Sequence, residues 1–120
     1  MAGKVESLGE RLIRYTAEMV KLSGWMPSSQ ASKEIATGLL QAVMDVLPRY
    51  HAACEMESDR AFMVEMRRCL HTLRDARVWL SVIERSALLP HEKIQMIENE
   101  TDVVEMIFSR IIQEIERRVV

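Results

Sequence analysis

Apolar residues recur along this chain at alternating steps of three and four, the spacing of one face of an α-helix. They do so in four stretches. The most regular is 58–86, where Phe62, Met66, Cys69, Leu73, Ala76, Leu80 and Ile83 lay one seam along one side. A helix of that length runs roughly 40 Å, enough to span a small bundle. Ser58 is placed to cap it.

The first stretch, 5–23, carries Val5, Leu8, Leu12, Tyr15, Met19 and Leu22. Glu6 and Glu10 come early and Lys21 late, as the helix dipole favours. Gly24 is able to take a left-handed cap conformation, and Trp25-Met26-Pro27 reads as a connector. A second helix starts at Ser28 or Ser29, with Ile35, Leu39, Ala42, Val43 and Val46 as its stripe. Pro48 removes a hydrogen bond and crowds the preceding turn, which predicts a kink or break near Leu47-Pro48, with 49–56 continuing as helix. The last helix opens at Pro90, expected at the first helical position. Its seam is Ile94, Ile97, Thr101, Val104, Phe108, Ile111 and Ile115, with Thr101 the one polar interruption.

Four seams, short connectors and no strand-type alternation predict a single all-α domain over 1–120. Its architecture would be an antiparallel up-down-up-down four-helix bundle with the second helix kinked near Pro48. Composition agrees: among 120 residues, 48% are hydrophobic but only 5% aromatic, Met reaches 9, and Gly and Pro are 4 and 3. Helical cores use Met in this way, whereas sheets want aromatic and β-branched residues.

Apolar residues also lie off the seams. Met63, Val64, Leu70, Val78, Trp79 and Val82 do so on the third helix, and Val103, Met106, Ile107, Ile112 and Val119 on the fourth. Some widen the core stripe. The surplus predicts a homo-oligomer interface, with Met63, Leu70, Val78, Trp79, Val103 and Ile107 as its candidates.

Charge adds a second theme. The net charge of −2 argues against a protein that coats nucleic acid generically. Yet 58–86 holds six arginines (60, 67, 68, 74, 77, 85) against Asp59, Glu65, Asp75 and Glu84. Arg60, Arg67 and Arg74 are spaced by seven, Arg77 extends the line, and Arg68 flanks it. Guanidinium groups fork onto phosphates and carboxylates alike, so two readings stand. The arginines pair with the acidic last helix, or they dock an anionic partner such as RNA. Leu47-Pro48-Arg49-Tyr50-His51 offers a similar choice between a structural kink and stacking groups for a nucleic acid. Arg49, Tyr50, Arg60, Arg67, Arg68, Arg74 and Arg77 are therefore the nucleic-acid-binding candidates.

Catalytic patterns are absent. His51, His71 and His91 lack a Glu three residues earlier, and His91-Glu92 lacks the second His of a zincin. There is no glycine-rich phosphate loop, which predicts no cofactor, no metal, no small-molecule substrate and no enzyme. His71 reads as a half-buried polar residue. Cys54 and Cys69, 15 apart, read as buried small hydrophobes in a reducing compartment. The charged start MAGKVESLGERL predicts no signal peptide, and no apolar run predicts a membrane span, so a cytoplasmic location is expected.

The layout also resembles a known family. Pro27 follows the first helix, Leu47-Pro48 interrupts the second, Ser58-Asp59-x-x-Phe62 starts the third, and Leu89-Pro90 opens the fourth. In these features the chain resembles the small four-helix bundle proteins encoded within intervening sequences of bacterial 23S rRNA genes. It also resembles their relatives, the accessory variability determinant proteins of diversity-generating retroelements. Where the former read Asn-Ile-Ala-Glu-Gly, this chain has Tyr50 to Cys54, keeping only an Ala, and His71-Thr72 replaces their Gly-Ser. Pro48-Arg49-x-His51 is closer to the retroelement branch, which is usually strongly basic. The resemblance implies a cytoplasmic bacterial protein that assembles into a ring of five bundles. In the retroelement branch, it implies binding to a reverse transcriptase and nucleic acid.

These readings converge on a non-enzymatic oligomeric binding or scaffold protein. RNA or a reverse transcriptase would meet its arginine face. The alternative is a protein-binding helical adaptor with no nucleic-acid role.

Overall fold

A computed structural model describes residues 6–119. Four helices follow one another: α1 (Leu8–Gly24), α2 (Gln30–Cys54), α3 (Asp59–Arg85) and α4 (His91–Val119). They form an all-α four-helix bundle with one continuous hydrophobic core. Val5, expected in the first seam, lies outside the described residues.

Serine hydroxyls start three of the helices. Ser7, Ser29 and Ser58 accept from the backbone N–H groups of Glu10, Ser32 and Ala61 at 3.1, 3.2 and 3.1 Å. Each satisfies a donor that the first helical turn cannot pair internally. Glu6 therefore precedes α1 rather than belonging to its first turn, and its carboxylate takes both Nε and Nη2 of Arg14. Pro90 stands just before α4, where its carbonyl accepts from Lys93 and Ile94. Pro48 lies inside α2, and the helix runs through it without a break. Val46 and Ala53, on either side of the proline, are both buried in the core. That packing supports the helix across the one backbone bond that proline cannot make.

The interhelical contacts give the directions. Gly9 meets Tyr50, and Gly38 meets Trp79. Arg67, Arg74 and Arg77 meet Glu116, Glu105 and Asp102 in turn. Arg11 meets Glu100, while Trp25 meets Lys93. Numbers rise on one helix as they fall on its neighbour, so the packed neighbours run antiparallel. The α2–α3 and α3–α4 interfaces are the most extensive, and α1–α4 is the thinnest.

Helix α3 is thus flanked on two sides, and its buried arc exceeds one seam. Met63 and Leu70, expected on an outer interface, are core residues with only 7% and 8% exposure. Ile112 is likewise buried beside the expected seam, while Ile111 is half-buried. Gly38 sets the α2–α3 approach: a Cβ there would lie 2.6 Å from Cζ2 of Trp79. The Trp79 ring is consequently spent against α2 of its own chain.

Thr101 interrupts the α4 seam because it holds α1. Its hydroxyl donates to the Ile97 carbonyl at 2.7 Å. With that single proton used, the Tyr15 hydroxyl must donate to Thr101 Oγ1, at 2.6 Å. Tyr15 is fully buried, and burial holds its phenol protonated well above the ordinary range.

The left-handed residue is not the expected glycine. Gly24 ends α1 with φ below zero, whereas Ala87 has φ 54°. Ala87 N–H bonds to the Glu84 carbonyl and Leu88 N–H to that of Ile83, at 3.1 and 3.3 Å. This pair of bonds is the Schellman closure, and an Ala occupies the position that usually takes Gly.

Two outcomes follow. Ala87→Gly should stabilise the protein by about 0.5–1 kcal/mol in urea unfolding, because a side chain is strained in the left-handed region. Thr101→Val, which strands the Tyr15 hydroxyl, should cost about 1–3 kcal/mol. Adding Tyr15→Phe should recover part of that loss, and a simple sum of the two single effects would show that the pair is not coupled.

Candidate functional site

The chemistry-bearing side chains lie on the outer faces of α2, α3 and α4. Their positions follow from helical spacing: residues seven apart return to nearly the same side. Arg67 and Arg74 therefore line up on the flank of α3 that faces α4, with Arg77 inward of them. Acidic residues stand opposite. Arg67 pairs with Glu116, and Arg74 Nε reaches Glu105 Oε1 at 2.7 Å. Arg77 Nη2 bridges Asp102 and Glu105, while its buried Nε has no partner among the described residues. The arginine line is thus one side of an ion-pair ladder within the subunit.

The remaining nucleic-acid candidates differ among themselves. Arg60 is exposed and makes no ion pair among the described residues. Arg68 Nη1 holds Glu65 of its own helix at 2.8 Å, and Arg49 Nε holds Asp45 of its own at 3.0 Å. Tyr50 is not a free stacking platform. It packs beside Gly9 and the core, and its phenol is pushed up to about 12 by burial and then by hydrogen bonding with Cys54.

Cavities surround this region. Arg49, Arg67, Arg68, His71 and Thr72 line a depression of about 500 Å³ between α2 and α3. A neighbouring groove of about 510 Å³ runs between α3 and α4 past Arg74 and Glu116. A third, about 440 Å³, lies at the thin α1–α4 junction, where Lys93 Nζ sits 3.6 Å over the Trp25 ring.

His71, expected to be half-buried, projects into solvent with its side chain 80% exposed. It lies on the α3 surface away from the buried seam, 3.9 Å from Asp75. Cys54 is exposed at the end of α2, contrary to expectation, because the helix closes there and nothing covers it. Cys69 is buried, and burial pushes its thiol up to about 11, which disfavours the reactive thiolate. No cluster of three His, Cys, Asp or Glu residues able to hold a metal occurs among the described residues. No helix among them is long and apolar enough to cross a membrane.

The interface candidates also separate. Val78 is 61% exposed, Trp79 is half-buried against Gly38, and Val103 and Ile107 are half-buried on α4. Two residues that were not singled out as site candidates join them on α4: Met106 at 49% exposure and Met96 at 75%. Their positions along α4 relative to Val103 carried that signal in the sequence.

Sequence reading did not identify the carboxyl pair Glu84 and Glu98. Glu98 of α4 is hydrogen-bonded to Glu84 of α3. Burial first, and then this like-charged neighbour, push Glu98 up to about 7. The two lie 14 residues apart on separate helices, so no local pattern marks them.

No family model matches this chain, and no curated protein matches it. A solved structure does: a protein of unknown function from the S23 ribosomal protein family of Bacteroides thetaiotaomicron. The similarity has a TM-score of 0.81 at 15% identity, over 88% of this chain and 98% of that one. The likeness establishes the fold, and that fold is the four-helix bundle that the sequence resemblance implies.

The raised Glu98 sets a pH dependence. Its folded value lies above the ordinary 4.5, so the folded state holds the proton more tightly. That contribution is complete at low pH and is lost as pH rises through about 7. Glu98→Gln should raise the melting temperature more at pH 8 than at pH 5. Equal shifts at both pH values would show that Glu98 is an ordinary surface carboxylate.

Proposed function

We propose that this chain is a non-enzymatic binding or scaffold module that works as a homo-oligomer, assembled through the apolar outer face of α4. One observation carries the reading: Val103, Met106, Ile107 and Met96 remain half-buried or exposed on α4 outside the core cluster. An apolar strip of this kind on a small bundle gains most by meeting another apolar surface. The resemblance adds a ring of five as the expected assembly, and a cytoplasmic location.

The ladder of Arg67, Arg74 and Arg77 supports assembly over the alternative of an α3 docking strip for RNA. Each of these arginines already holds a carboxylate of α4. An RNA strand laid along the ladder would meet the carboxylates of Glu105, Asp102 and Glu116 as well as the guanidinium groups, so the ladder as a whole offers it little net attraction. A protein partner that meets the α4 strip displaces only water from apolar surface.

Light scattering tests this directly. The wild-type protein should run as an oligomer at micromolar concentration. Ile107→Glu with Met106→Glu should dissociate it into folded monomers, with the helical circular dichroism signal retained. A wild-type protein that is already monomeric would overturn the proposal.

A further inference from the structure

We infer that the depression between α2 and α3 around Arg49, Arg67, Arg68 and His71 is a phosphate-binding site. Four basic side chains line it with the Thr72 side chain, and no carboxylate does. Its volume of about 500 Å³ accommodates a phosphate group together with part of the molecule that carries it.

Guanidinium groups on this surface are committed to different degrees, and Arg74 and Arg117, outside the depression, also give one nitrogen each. Arg11 and Arg14 each commit two nitrogens to one carboxylate. The pocket arginines each commit one: Arg49 its Nε to Asp45, Arg67 its Nη2 to Glu116, and Arg68 its Nη1 to Glu65. A guanidinium has five N–H donors, so each retains a free edge of its fork. Asp45, Glu65 and Glu116 tether the three heads at the margin, and Asp75 stands 3.9 Å from His71. The acids hold the cations in place without occupying the depression.

Phosphate fits this array better than a carboxylate does. It offers oxygens in several directions to donors that approach from two helices, whereas a carboxylate fills one fork. Thr72 contributes shape and not a proton, because its hydroxyl donates to the Arg68 carbonyl at 2.9 Å. The phosphate can come from a nucleic-acid backbone or from a free phosphorylated small molecule, and both are read by the same forks. The site does not involve the α4 strip, so it stands whether or not the protein assembles as proposed above.

The test uses the full chain at low salt with two probes, inorganic pyrophosphate and a single-stranded RNA of mixed sequence, followed by calorimetry. Arg49→Gln with Arg68→Gln is the informative variant, because both residues pair only within their own helices. At least one probe should bind the wild type, and the double variant should weaken it at least about tenfold. RNA binding that falls steeply with salt would assign the backbone as the source. Binding of pyrophosphate alone would assign a small ligand. Binding of neither probe would overturn the inference, as would equal binding by the folded double variant. Light scattering on the same samples separates this result from a failure of assembly.

Discussion

Everything in this bundle depends on α3 being buried along two flanks at once. Its apolar arc runs from Met63 and Met66 through Leu70, Leu73 and Ala76 to Ile83, wider than the single seam of a helix with one neighbour. On one flank, Gly38 lets α2 approach until the Trp79 ring lies against its backbone. On the other, α4 packs closely enough for carboxylates to reach the arginines at the edge of the arc. Helix α1 touches this assembly more lightly, and the buried Tyr15–Thr101 bond compensates by fixing its register on α4.

The same constraint sorts the charges. Arginines at the α3–α4 border meet the acids of α4, and the ladder that results is partly exposed and of modest energetic worth. It ties Arg74 and Arg77 to carboxylates of α4. On the opposite side, Arg68 of α3 and Arg49 of α2 line one depression, and each gives one nitrogen to an acid of its own helix, Glu65 and Asp45, leaving the rest of its fork open. The arginines of α3 therefore divide into those tied to α4, Arg67, Arg74 and Arg77, and Arg68, which is tied only within its own helix. Glu98 is the complement on α4: lacking an arginine to itself, it shares a hydrogen bond with Glu84.

Much of the fold was legible because helix formation is local. The three-and-four spacing, the serines at positions 29 and 58, and the prolines at 48 and 90 act within one or two turns, so the linear order marks where the helices lie. Boundaries were less legible where two signals competed. Glu6 looks like a first-turn acid, yet Ser7 caps the helix behind it. Gly24 looks like the left-handed cap, yet that conformation falls on Ala87, where the Schellman bonds outweigh the cost of a side chain.

By itself, the sequence determined that there would be four amphipathic helices, where each would lie to within about a turn, and which side of each would be apolar. These properties follow from backbone period and capping chemistry, and they need no neighbour. The tertiary structure alone decided which residues beyond the seams would be core and which would stay open. Met63 and Leu70 went inward because α3 has partners on both sides, while Met96 and Val78 stayed outside because nothing packs over them. It also decided which arginines are spent. Pairing between charges depends on which carboxylate lies within about 4 Å, and that distance is set by how helices far apart in sequence pack together.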